Sequence, residues 1–291
     1  MKASIIIPTK NGGERYERVL KALFDNAVDG GFEVIVIDSG SLDDTLSISR
    51  RYPVRLYEIP PEEFGHGKVR NLGAELSQGE FLVYLTQDSI PASRDWLRTL
   101  LNAFTLADNV AGVYSRQLPD GTNPMESFFL LDTYGEHRII RSLAPGRGPA
   151  VSLREIFFSD VGSAIRRDVW EKIPYPGTIA MSEDQDWSKR VLLAGYKTVY
   201  EPAAAVYHSH DYTLRTIFKR NYVSGYSLHG IVRERLWPTI SYTFSYMTAE
   251  ARYIAKTQGW MKVYQMLFYE IARYAGFAAG SIVARMRKGA G

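Results

Sequence analysis

Along the N-terminal third of the chain, short runs of aliphatic and β-branched residues alternate with segments whose apolar positions recur at helical spacing. Residues 4–7 (SIII) end at Pro8 and have the pattern of a buried strand. Residues 33–38 (EVIVID) form a second such run, stopped by Ser39-Gly40-Ser41. Residues 54–58 make a third and 80–86 (EFLVYLT) a fourth. Between them, 15–26 carries Val19, Leu20, Leu23 and Phe24 at helical spacing, and 43–51 and 68–77 also read as helices. Strands alternating with helices predict an α/β fold: a Rossmann-like, mostly parallel sheet flanked by helices, with right-handed crossovers. Ligands of such sheets bind outside the carboxyl ends of the strands. The segments 8–11, 38–41 and 87–89 are therefore expected around one crevice.

Beyond residue 90 the pattern loosens. Residues 95–106 read as a helix, 111–117 as a strand, 159–165 as a strand or sheet edge, and 168–172 as the start of a short helix. Residues 146–150 (GRGPA) are a loop. Residues 183–194 form a helix with Trp187, Val191, Leu192 and Ala194 on its apolar side, and 198–206 a strand interrupted by Pro202. After His208 the composition turns aromatic and basic, with helices over 214–233, 241–255 and 260–287. The expected division is a catalytic domain over 1–235 and a C-terminal helical extension over 236–291. That extension has apolar residues on more than one face and a basic end at Arg285, Arg287 and Lys288. Two roles stay open for it: packing on the catalytic domain or on a second copy in a homodimer, and peripheral contact with a membrane surface.

Composition narrows the class. The 291 residues are 45% hydrophobic, enough for a sizeable core. A net charge of +3 gives no global electrostatic case for a nucleic-acid partner. The absence of cysteine excludes disulfides and thiolate metal sites and is compatible with a reducing compartment. The first apolar run is too short for a signal peptide, and no apolar stretch reaches the roughly 18 residues of a membrane span. The expected location is cytoplasmic, extending to the inner face of the plasma membrane.

Several polar residues sit where chemistry could be done. Asp38 stands at the tip of the second strand, where a carboxylate can accept the N3–H of uracil or thymine; a turn aspartate is equally expected there. Arg70, in the segment HGKVRN, could add a donor to a base carbonyl. Gly65 and Gly67 beside it either let the backbone approach a ligand or form an ordinary loop. Asp88, in LTQDSIP, follows the fourth strand and could anchor a divalent cation beside a diphosphate. In SEDQDWSKR, Ser182 is placed to cap a helix whose first turn the acids would stabilise; alternatively one acid is a general base. His208 and His210 either complete a metal site with Asp88, meet a phosphate, or are surface residues.

In this order, SIIIPTKNGG, VIVIDSGSLDDT, HGKVRNLGAELSQGEFLVYLTQDSIP and SEDQDWSKRVLLAGYK, followed by VYHSH, resemble the family 2 glycosyltransferases of the GT-A fold. The likeness spans about residues 1–230. HGKVRN and LTQD are most similar to bacterial rhamnosyltransferases that use dTDP-L-rhamnose. The resemblance implies an inverting transferase that moves a sugar to a hydroxyl of a surface-glycan or lipid-linked saccharide acceptor. The sugar is L-rhamnose from dTDP-rhamnose, or comes from a UDP-sugar. It implies nucleotide binding by Thr9 and Asp38 with Arg70 as helper. It also implies a divalent cation (Mn²⁺ or Mg²⁺) on Asp88 with His208, and Asp184 as catalytic base with Glu183 beside it. Lys219 and Arg220 follow His208 on a helix and are candidates for the departing diphosphate, or a solvated basic face. Thr86 replaces the first acid of the family's D-x-D motif, leaving Asp88 its sole acidic ligand. The Q-x-x-R-W signature of processive members is missing, which implies addition of one or a few sugars. Two rivals are a nucleotidyltransferase, for which Lys10-Asn11-Gly12-Gly13 is a thin match, and an inactive nucleotide-sugar-binding scaffold.

Overall fold

The computed structural model describes residues 1–121, 123–232 and 240–289. Strands β1 (Ala3–Thr9), β2 (Phe32–Asp38), β3 (Val54–Glu58) and β4 (Phe81–Leu85) lie parallel in the order β3-β2-β1-β4. Helices α1 (Gly13–Phe24), α2 (Thr45–Ser49) and α3 (His66–Leu76) connect them. Both faces of β1, β2 and β4 are covered, so these strands read as near-continuous apolar runs rather than alternating ones, whereas the edge strand β3 (VRLYE) is only half-buried. Ile5, Ile7, Val34, Val36 and Val83 pack beneath α1, whereas Ile6, Ile35, Ile37, Leu82 and Tyr84 pack toward α3.

The second half of the sheet is mixed. It comprises β5 (Ile90–Pro91), α4 (Trp96–Asn102), β6 (Val110–Leu118), α5 (Pro124–Thr133), β7 (Ile139–Arg141), α6 (Leu153–Ile156), β8 (Gly162–Arg166), α7 (Arg167–Trp170), α8 (Glu183–Leu193) and β9 (Lys197–Tyr207). The full order is β3-β2-β1-β4-β8-β6-β9-β5, with β7 also on β9. β8 runs antiparallel to both β4 and β6, so the expected mostly parallel sheet is mixed in this half. Hydrophobic periodicity is blind to strand direction, which is why the reversal is not visible in the sequence. Its consequence is local. Gly162 pairs with Leu85, and the Thr86 N–H donates to the Val161 carbonyl at 3.2 Å. The segment entering β8 thus arrives at the carboxyl end of β4, where the crevice lies. Pro202 does interrupt β9: its register with β6 jumps from Ser115↔Glu201 to Arg116↔Ala205, which leaves 202–204 as a bulge.

Helices α9 (Leu214–Ile231), α10 (Ile240–Gln258) and α11 (Trp260–Gly289) complete the chain. The expected domain boundary after residue 235 lies outside the described residues. By packing, α9 belongs with the last helix rather than with the sheet. Gly276 of α11 lies against Phe218, Gly280 against Tyr222, and Gly225 of α9 against Phe277, so the two helices run parallel and meet backbone to backbone. A Cβ at Gly280 would overlap the Tyr222 carbonyl oxygen. Gly280→Val is expected to cost about 1–3 kcal/mol through overpacking, read as a lowered midpoint in thermal unfolding; an unchanged midpoint would show that the helices do not approach so closely.

Candidate active site

The three strand-end segments meet as expected. The Asn11 N–H donates to the Ser41 hydroxyl at 2.8 Å, and Gln87 exchanges two hydrogen bonds with the backbone of Lys10 at 2.8 and 3.1 Å. Asp38 is 1% exposed. Its Oδ1 accepts the N–H groups of Gly40 and Ser41 at 3.0 and 2.8 Å; its Oδ2 accepts the hydroxyls of Thr9 and Ser41 at 3.0 and 2.5 Å. An ionised carboxylate has about four lone-pair sites, and all four are used. Thr9 and Asp38 are therefore together, as the sequence implies, but spent on closing their own turn. A base N–H could reach Asp38 only after a hydroxyl swings away.

Among the described residues, no hydrogen bond or ion pair joins Arg70 to this turn. The HGKVRN segment forms the opening turns of α3 rather than a loop, and Gly67 is required there because a Cβ would overlap the Pro176 carbonyl. The helix aims Arg70 at α8. Its Nε lies 3.2 Å from Asp160 Oδ2, its NH1 pairs with Glu183, and the rings of Tyr84 and Tyr175 flank it at 6.0 and 5.8 Å. The expected base-carbonyl helper is instead a buried counter-ion.

This arrangement separates the two acids of the Glu-Asp pair. Glu183 is 4% exposed and consumed by Arg70, whereas Asp184 keeps partial solvent access. Asp184 Oδ1 accepts the Gln185 N–H at 2.8 Å and Oδ2 the Asp160 N–H at 3.4 Å. Burial, and then the charge of Asp160, push the Asp184 carboxyl up to about 6, against the opposing pull of Arg70. Asp160 is a residue that sequence reasoning missed. Its Oδ1 accepts from the Ser163 hydroxyl at 2.6 Å and the Tyr175 hydroxyl at 3.1 Å. Ser182 occupies the position before α8, but its hydroxyl makes no cap. It adopts the left-handed conformation (φ 68°, ψ 28°), disfavoured for a non-glycine residue.

The second cluster is Asp88, His208 and His210, whose ligand atoms all lie within 4.8 Å of one another. His208 Nε2 is 3.5 Å from Asp88 Oδ1, and His210 Nε2 is 3.8 Å from Oδ2. Gln117 fixes the proton on His208. Its amide nitrogen donates to the Tyr134 and Ser159 hydroxyls at 2.5 and 3.0 Å, which leaves Oε1 to accept from His208 Nδ1 at 2.9 Å. With the amide in this orientation Nδ1 carries the hydrogen, and the Nε2 lone pair faces the Asp88 carboxylate. Two electron-rich atoms so placed repel unless a cation lies between them. Burial drives His208 down to about 3 and lowers His210, so both rings are neutral. Burial raises Asp88; whatever positive charge His208 and His210 carry, together with the Thr86 hydroxyl and Arg15, pulls the other way, and the carboxyl lies below its ordinary value. Two neutral imidazoles and one carboxylate, with the second ring nitrogen of His208 held by Gln117, form a donor set that fits a divalent cation. Thr86 bonds to Asp88 instead of supplying a second acid.

Of the two expected diphosphate contacts, Arg220 approaches this cluster. It lies over the Tyr212 ring at 5.3 Å, and its charge lowers His208 and His210. Lys219 is exposed on the same helix, and among the described residues no contact joins it to the cluster. Arg15 of α1, unmarked in the sequence, reaches the cluster by donating from Nε to the Asp88 carbonyl at 2.9 Å.

Comparison with known proteins gives the family and the fold. Residues 4–173 match the family described as Glycosyl transferase family 2. The chain is 34% identical to the O-antigen chain rhamnosyltransferase WbaN of Salmonella anatum, over 76% of this chain and 70% of that protein. It is 33% identical to RfbN of Salmonella typhimurium, another O-antigen chain rhamnosyltransferase, over 77% and 72% of the two chains. In structure it resembles the mannosyltransferase PcManGT of Pyrobaculum calidifontis, solved with GDP-mannose and Mn²⁺. The TM-score is 0.63 at 16% identity, covering 99% of this chain and 88% of that one, a likeness of fold alone. With its fold, its ordered motifs and these relatives in agreement, the chain belongs to glycosyl transferase family 2 and is a glycosyltransferase of the GT-A fold.

Proposed function

We propose that the protein transfers L-rhamnose from dTDP-L-rhamnose, with inversion, to a hydroxyl of a surface-glycan or lipid-linked saccharide. It would act in the cytoplasm, where a lipid-linked acceptor is held at the inner face of the membrane. The two rhamnosyltransferase relatives support the sugar; a UDP-sugar is the alternative donor, because uracil and thymine present the same N3–H. The observation that carries the reading is the pairing of one accessible, proton-hungry carboxylate with a cation-ready cluster. Both are tied to the segment entering β8, Asp184 through Asp160 and His208 through Gln117 and Ser159.

The acceptor hydroxyl gives its proton to Asp184 as its oxygen attacks C1 from the face opposite the diphosphate. The C1–O bond breaks and the diphosphate leaves with the electron pair. Asp88, His208 and His210 would hold a divalent cation, which when bound supplies charge neutralisation for that leaving group. Two imidazoles in the set favour Mn²⁺ over Mg²⁺. Arg220 adds positive charge on the same side. Glu183 and Asp160 do not touch substrate; they hold Arg70 and set the charge around the base.

Three outcomes follow. Asp184→Asn should lower turnover by about 10²–10⁴-fold while donor still raises the unfolding temperature; equal turnover would sink the base assignment. Because Asp184 acts only when deprotonated, activity should fall as pH drops through about 6. In Asp160→Asn the neighbouring negative charge is gone, so the acidic limb of the profile should move to lower pH; a limb that stays in place would show that Asp160 is merely structural. Finally, a chelator should abolish transfer, Mn²⁺ should restore it better than Mg²⁺, and His210→Ala should raise the Mn²⁺ concentration required. Transfer indifferent to chelation would remove the metal role.

A further inference from the structure

The outward face of α11 is as apolar as its inward one. Met266, Tyr269, Gly276 and Gly280 are buried against the rest of the protein. On the opposite side, Trp260, Tyr264, Leu267, Ile271, Ile282 and Met286 are exposed, Trp260 by 77% and Ile271 by 64%. Their spacing keeps them on one stripe, which runs from residue 260 to 286, about 40 Å at 1.5 Å per residue. The packing against α9 explains why these side chains are free. The two helices meet through glycine backbones, so they lock together without using the large apolar side chains of α11.

The exposed charge carried by α9–α11 has one sign. Helix α9 contains no acid, and the acids of α10 and α11, Glu250 and Glu270, are 0% and 1% exposed. Glu270 turns inward to Arg273 at 3.4 Å. The cations face out: Arg215, Lys219, Lys256, Lys262, Arg285 and Arg287 are all exposed. Among the described residues of α9–α11, solvent therefore meets large apolar groups and positive charge, and no carboxylate. A second copy would set cation against cation at such a face. An anionic lipid surface satisfies both components, burying the stripe at the acyl boundary and neutralising the flanking arginines and lysines. No described helix is long and apolar enough to cross a membrane, so the contact is one of a helix lying on the surface.

We infer that α11 docks along its Trp260–Met286 stripe on an anionic lipid surface, with the basic residues of α9–α11 against the headgroups. This goes beyond the sugar-transfer reading and rests on charge and exposure alone; a vesicle assay reports on it whether or not the donor is rhamnose. The full chain is floated with vesicles of phosphatidylcholine containing phosphatidylglycerol, and with phosphatidylcholine alone. The expected result is flotation with the anionic vesicles, release by high salt, and little binding to the neutral ones. Ile271→Glu, and separately Arg285→Glu with Arg287→Glu, should each weaken partitioning by roughly tenfold or more. An unchanged unfolding temperature in either variant shows that it is folded, and the exposed arginine pair keeps the test valid if the glutamate at 271 unfolds the helix. Protein that stays soluble beside anionic vesicles, or variants that float as well as wild type, would overturn the inference. So would a doubled mass in light scattering that Ile271→Glu halves without any flotation, which would assign the stripe to a second copy.

Discussion

The structure turns on one buried cation. Arg70 lies between Asp160 and Glu183, and through them it joins α3 of the parallel half, the entry to β8 and the start of α8. Three carboxylates gather around this single guanidinium, because Asp184 stands beside the other two. One positive charge cannot balance three negative ones. Burial makes the acid that Arg70 does not hold directly bind its proton more tightly, and the Asp160 charge adds to this. A carboxylate in that position binds a proton more readily than an isolated one, which is the property a base needs near neutral pH. The ion pairs have structural weight as well, since breaking such a buried pair typically costs about 3–5 kcal/mol.

The reversal of β8 makes this cluster possible and links it to the second one. Had β8 run parallel to β4, the segment before it would have emerged at the opposite edge of the sheet. Instead Ser159 and Asp160 arrive beside the end of β4. Ser159 supports Gln117, which orients His208; Asp160 supports Asp184 through its backbone and Arg70 through its side chain. Base and cation site are thus braced from neighbouring residues of one turn. A shift in that turn would alter both.

Much of this was legible in the sequence. β1, β2 and β4 are legible because both their faces are buried, and the strand-end rule places Thr9, Asp38 and Asp88 at one edge. The Glu-Asp pair and the histidines after β9 were found by their order along the chain. What escaped was the direction in which side chains face. Arg70 belongs to a segment read as helical and offered as a helper to a base carbonyl, yet the face it occupies turns it toward Glu183, far along the chain. Asp160 lies in an aperiodic stretch with no motif, and only the antiparallel pairing of β8 gives it a role. Ser182 looks like a cap by residue type, but its left-handed backbone directs the hydroxyl elsewhere. The grouping of α9 with α11 depends on glycine contacts between distant segments that no local pattern reveals.

The claim at the centre is that Asp184 is an ionisable base whose proton affinity is raised first by burial and then by the Asp160 charge, against the pull of Arg70. It is tested most directly by carbon NMR of the protein labelled at its aspartate carboxyl carbons, with the Asp184 signal assigned by its loss in Asp184→Asn. The account predicts a midpoint near pH 6 for that signal. A midpoint in the ordinary aspartate range, about 4, would contradict it.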